Sequence, residues 1–159
     1  MGGRESGRVR QPPARGLGLS RIFFDTNLFI YLLEDFGELG KRVSDLMHRM
    51  SERRDQLLTS TLTLGEVLVK PLSVGQVSWA NQYEILLDTP GVVLIPFDRE
   101  CARVYAGLRQ DRALKAPDAM QLSCAAVAKC DVFITNDDRL SRRIIPGIQF
   151  ILPLEKAFI

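Results

Sequence analysis

From residue 21 onward the apolar and polar positions fall into two alternating kinds of segment. Residues 22–24, 56–60, 92–95, 132–134 and 148–152 are short, largely apolar runs and predict strands. Between them, apolar residues recur at helical spacing. That predicts helices over 26–36, 39–53, 62–72 and 77–87. In the second of these, Val43, Leu46, Met47 and Met50 mark the inward face, and Pro71 and Gly75 are expected to close the third. Asp98 is a suitable N-cap for a helix reaching about Gln110. Pro117 suits the first turn of another, through about Ala128, and 137–142 predicts a short last one.

The strands show no polar/apolar alternation, so both of their faces are buried. Apolar strands alternating with helices predict an α/β domain on a parallel sheet covered on both sides. Ligands of such sheets bind at the carboxyl ends of the strands.

Composition narrows the picture. At 159 residues the chain is long enough for one domain with a real core. Its longest apolar stretch, 92–97, contains Pro96 and is strand-length, so no membrane association is expected. Residues 1–20 are rich in Gly, Arg and Pro and predict a disordered basic tail ahead of a single domain over 21–159. Arg4, Arg8, Arg10, Arg15 and Arg21 against Glu5 give the first 21 residues +4. The chain totals +2, so residues 22–159 carry −2, and the pI is no argument for nucleic-acid binding by the domain. Cys101, Cys124 and Cys130 have no zinc-like spacing and are expected to be buried, reduced thiols of a cytoplasmic protein. His48 is the only histidine, which argues against His-based triads and His-rich metal sites.

Four acids hold the candidate chemistry. Asp25 ends the first strand in FFDTN, where an N-cap would explain it equally well. Glu66 stands three residues after Thr63, the spacing of a capping box. Asp118 follows Pro117 in the first turn of a helix of small apolar residues, where the helix dipole favours it. Asp137 ends the strand at 132–134, next to Asp138, its weaker competitor. Taken together, two acids follow strand ends and two open helices, and in a parallel α/β sheet these points share one rim. Gathered carboxylates repel one another unless a cation joins them. A hard divalent ion, Mg²⁺ or Mn²⁺, takes oxygen ligands and resolves the repulsion. Such an ion held by carboxylates is suited to phosphoryl chemistry.

The segments FFDTN, STLTLGE, APDAMQLSCA and VFITNDDRL, in that order, resemble the PIN-domain family of metal-dependent nucleases. The likeness is greatest to VapC-like toxins of type II toxin–antitoxin systems and spans about residues 21–153. It implies a three-layer α/β/α sandwich around a mainly parallel sheet. It also implies endoribonuclease cleavage of single-stranded RNA at acids binding Mg²⁺ or Mn²⁺. By position, Asp25, Glu66, Asp118 and Asp137 are the implied catalytic and metal-binding acids. Thr26, Asn27 and Thr135 are the implied supporting residues around them. A dehalogenase-like phosphatase or a DEDD exonuclease needs an acid where Asn27 stands.

RNA binding needs cations beside the acids. Arg112 and Lys115 precede Asp118 and Arg139 follows Asp137, so these three are candidate phosphate contacts, though solvated surface charge explains them too. Arg142 and Arg143 read as surface charges. The resemblance further implies an antitoxin protein as partner and a homodimer. The alternatives that stay open are an RNA-processing nuclease that is no toxin, and a catalytically silent binding module of the same fold.

Overall fold

Strand β1 (Arg21–Phe24) lies at the centre of the sheet, and Ile22, Phe23 and Phe24 are wholly buried. The computed structural model describes residues 19–34 and 37–157. After β1 come α1 (Thr26–Leu33), α2 (Glu38–Glu52), β2 (Gln56–Ser60), α3 (Thr61–Ser73), α4 (Val77–Leu87) and β3 (Val92–Ile95). Then follow α5 (Arg99–Leu108), α6 (Ala116–Val127), β4 (Val132–Thr135), α7 (Asp138–Ser141), β5 (Phe150–Pro153) and a 3₁₀ turn, Leu154–Lys156. The tail prediction for residues 1–18, and the end of the predicted first helix at 35–36, lie outside the described residues.

The five strands are all parallel, in the order β3-β2-β1-β4-β5. The chain winds outward from β1 to β3, then returns to place β4 on the other side of β1. The winding therefore reverses between β1 and β4, the point where doubly wound sheets open a ligand crevice. Phe23 pairs with Leu58 of β2 on one side and Phe133 of β4 on the other.

Alternate residues of β1 feed two separate cores. Ile22 and Phe24 pack with Leu28, Val43, Leu46, Val67 and Tyr83, beneath α1 to α4. Phe23 faces the opposite way, among Cys101, Leu122, Cys124 and Phe133, beneath α5 and α6. The Phe23 and Phe133 rings stack at 5.1 Å. The result is the three-layer α/β/α arrangement, with burial of each such side chain contributing about 1.5–3 kcal/mol.

Most predicted boundaries shift by one to three residues, and three of the differences bear on packing or on the site. Helix α3 continues through the buried Pro71 to Ser73, with Gln76 N–H donating to the Pro71 carbonyl. Strand β5 starts at Phe150 rather than 148, because residues 146–149 first turn through Gly147 at φ +94°. The third difference, at the start of α3, bears on the site and is described there.

Candidate active site

Asp25 leaves β1 in extended backbone (φ −66°, ψ 156°) and caps α1, its Oδ1 accepting from Thr26 N–H at 2.9 Å. Its own N–H donates to the Ile134 carbonyl across the switch point (3.0 Å), and its Oδ2 accepts from Thr135 Oγ1 at 2.8 Å. The residue is a cap and also faces the crevice. It is buried, and burial raises its carboxyl above the usual range. The hydrogen bonds from Thr135 and Thr26 oppose that rise, and the charges of Asp118 and Asp137 add to it.

Thr135 also binds Asp137, accepting from its N–H at 3.0 Å, so one buried hydroxyl links the acids after β1 and β4. Asp137 caps α7, and Arg139 closes on it as a fork. Nε donates to Oδ1 at 3.1 Å and Nη2 to Oδ2 at 2.7 Å. That fork holds the Asp137 carboxyl below its ordinary range.

The capping box predicted around Thr63 is not formed. Strand β2 runs directly into α3, and Ser60, extended at φ −102° and ψ 162°, is the cap, its Oγ accepting from Thr63 N–H (3.3 Å). Thr63 therefore sits inside the first turn and Glu66 in the second, three residues apart on one helix face. Glu66 is exposed, yet its carboxylate takes a 3.4 Å hydrogen bond from Thr26 Oγ1. Partial desolvation, then the Asp25 charge, raise its carboxyl.

Asp118 is half-buried in the first turn of α6, with no hydrogen-bond partner among the described residues. Desolvation and Asp137 raise its carboxyl, while Arg139, Lys115 and Arg143 lower it. The sequence predicts surface charge for Arg143, yet it is half-buried, bound to Asp111 at 2.6 Å and electrostatically felt by Asp118. Its Nε is buried without a partner among the described residues.

Asp25, Glu66, Asp118 and Asp137 all line one open pocket of about 90 Å³, together with Thr26, Asn27, Pro117 and Gln121. Thr135 lies beneath it, whereas Arg112, Lys115 and Arg139 do not line it. Lys115 is the exposed N-cap residue of α6, and Arg112 is exposed nearby. Sequence reasoning missed Gln121, a buried amide whose only signal was its polarity within the small, apolar α6.

Among the described residues no three His, Cys, Asp or Glu side chains are arranged to hold an ion together. The donor chemistry nevertheless fits a hard divalent cation, which needs only one or two direct carboxylates and retains several waters. The pocket presents carboxylate, hydroxyl and amide groups and no imidazole or thiolate, which disfavours zinc.

Residues 22–144 match the family described as the PIN domain. The chain belongs to the PIN-domain family. Among solved structures, this PIN domain resembles VapBC2 from Rickettsia felis, bound to a DNA fragment from its promoter. The TM-score is 0.68 at 16% identity over 84% of this chain and 98% of that one. DNA-bound VapBC from Salmonella typhimurium gives a TM-score of 0.67 at 20% identity, over 86% and 99%. A toxin–antitoxin complex from Klebsiella pneumoniae gives 0.59 at 25% identity, over 80% and 94%. No curated protein matches the sequence. The fold is thus that of VapC-like PIN domains, a family that generally uses divalent metal ions.

Proposed function

We propose that this protein is a Mg²⁺- or Mn²⁺-dependent endoribonuclease that cuts single-stranded RNA, and that it is the toxin of a toxin–antitoxin pair. The observation that carries the reading is the single pocket lined by Asp25, Glu66, Asp118 and Asp137 at the switch point of the sheet. These four acids would hold the cation. When bound, it neutralises phosphate charge and supplies an activated water for in-line displacement.

The chain's own groups prepare that chemistry. Thr135 and the Thr26 N–H fix both Asp25 oxygens, so the carboxylate cannot rotate away from the crevice. Asp118 and Glu66, less tethered, can adjust to the incoming ion. Lys115 and Arg139 bring positive charge near Asp118, and Arg112 extends it along the approach to α6. These cations would engage substrate phosphates and offset the repulsion between RNA and the acids.

VapBC assemblies among the neighbours support an antitoxin protein as partner, and the family's habits support a homodimer. No helix among the described residues is long and apolar enough to cross a membrane. Three free, buried cysteines favour a reducing compartment, so we place the protein in the cytoplasm.

The test is cleavage of single-stranded RNA. Wild type should cut with Mn²⁺ or Mg²⁺, stop with EDTA, and lose at least about a hundred-fold in rate as Asp25→Asn, given the ~10–100-fold cost of disturbing even outer-shell groups. Wild-type protein that cuts no single-stranded RNA with either ion would refute the reading.

A further inference from the structure

Thr26 and Gln121 line the pocket and join Thr59, Ser60 and Thr63 in one polar cluster, all five buried. Gln121 is their hub. Its Nε2 donates to Thr26 Oγ1 at 2.9 Å and to Thr63 Oγ1 at 2.8 Å, and its Oε1 accepts from Ser60 Oγ at 2.6 Å. The oxygens of Thr26 and Thr63 lie 3.2 Å apart. Thr59 Oγ1 donates to the Phe24 carbonyl at 2.9 Å and is 2.8 Å from Thr63 Oγ1.

Three of these residues are each coupled to an acid by chain position. Thr26 follows Asp25 directly. Thr63 precedes Glu66 by one turn of α3, and Gln121 follows Asp118 by one turn of α6. Residues three apart share a helix face, and on those faces Thr63 and Gln121 are buried while Glu66 is exposed and Asp118 half-buried. The hub therefore ties together the three elements that present three of the four carboxylates.

The Gln121 amide supplies hydrogen to both threonine oxygens, and the Thr26 hydroxyl has two acceptors within reach, Thr63 Oγ1 at 3.2 Å and Glu66 Oε1 at 3.4 Å. Gln121 bonds to neither Glu66 nor Asp25 and acts on them only through Thr26 and Thr63.

We propose that Gln121 is a positioning residue, fixing the separation of Asp25, Glu66 and Asp118 for the cation through its bonds to Thr26 and Thr63. This rests on the metal-nuclease reading above. A buried amide that merely satisfies its neighbours would support folding alone, so the test must read the metal.

The variants are Gln121→Met, which keeps the length and removes the amide, Thr63→Val, which removes one acceptor, and Thr63→Ser, which keeps the hydroxyl. Mn²⁺ binding is measured by titration calorimetry on the full chain, with folding checked by circular dichroism at the same temperature. RNA cleavage supplies kcat and KM. Gln121→Met and Thr63→Val should weaken Mn²⁺ binding about ten-fold or more and lower kcat with KM for RNA nearly unchanged. Thr63→Ser should stay near wild type. If Gln121→Met does not fold, Thr63→Val against Thr63→Ser decides. Folded variants with wild-type Mn²⁺ affinity and kcat, beside an active wild type, would overturn the positioning role alone. A wild type that binds no Mn²⁺ and cuts no RNA would overturn the nuclease reading and this role with it.

Discussion

At the scale of single residues, the site is a place where the fold carries a cost. Asp25 is buried beside two other acids, and its carboxyl is raised above the ordinary range, chiefly by burial. For an acid so raised, the neutral form is the one the fold prefers. Below the unfolded pKa both states are protonated and the charge costs nothing. As pH rises past the unfolded value, the unfolded chain releases a proton that the fold retains, so the destabilisation enters there and levels off only above the folded value. Asp25→Asn removes that charge while keeping an oxygen for Thr26 N–H, and the Thr135 hydroxyl can accept from the new amide. The variant should melt a few degrees above wild type in EDTA at pH 7, with the gap closing toward pH 4. Saturating Mn²⁺ should reverse the order, because only wild type gains from binding. Thermal melts with and without the ion check both halves, and a variant no more stable than wild type in EDTA would contradict the first.

At the scale of elements, what is local in the chain was legible. The bounds of Gln56–Ser60, Val77–Leu87 and Val92–Ile95 follow from periodicity alone, and Asp98 caps α5 as its side-chain chemistry predicts. The cap of α3 was misplaced because STLTLGE offers three capping residues, Ser60, Thr61 and Thr63. Only the absence of a loop after β2 makes Ser60 the one that is used. Gln121 escaped notice for a related reason, since its partners stand 58 to 95 positions away along the chain. Helix packing adds a prediction of this kind. A Cβ on Gly40, in the first turn of α2, would lie 2.5 Å from the Tyr31 carbonyl oxygen of α1, whereas one on Gly65 in α3 would meet nothing within 4 Å. Gly65→Ala should therefore gain about 0.5–1 kcal/mol from helix propensity. Gly40→Ala should instead lose about 1–3 kcal/mol to overpacking between the two helices. Urea midpoints of the two variants, moving in opposite directions, are the measurement.

The molecule as a whole rests on two cores separated by one sheet, and their chemistry differs. The core beneath α1 to α4 is aliphatic and aromatic, whereas the one beneath α5 and α6 contains all three thiols. That division was foreseeable only in part, because burial of each cysteine was expected but not their gathering in one layer. Burial pushes the Cys124 and Cys130 thiols up to about 12 and raises Cys101 in the same direction. In the unfolded chain a thiol ionises near pH 8.5, roughly. Below that pH both states hold the proton and nothing depends on it. Above it the unfolded chain loses protons that the folded chain keeps, so stability falls as pH rises. Between pH 8 and 10 the loss is about 2 kcal/mol for each thiol so shifted. Because the sheet couples both cores, this loss acts on the cooperative unfolding of the whole domain rather than on α6 alone. Urea unfolding at a series of pH values, under reducing conditions, should show the decline. Cys124→Ala, placed in a helix already rich in alanine, costs some packing at every pH but should flatten the decline by about 2 kcal/mol over that interval. A variant whose stability falls as steeply as wild type would mean that the Cys124 thiol ionises equally in both states, and so is not sealed beneath the sheet.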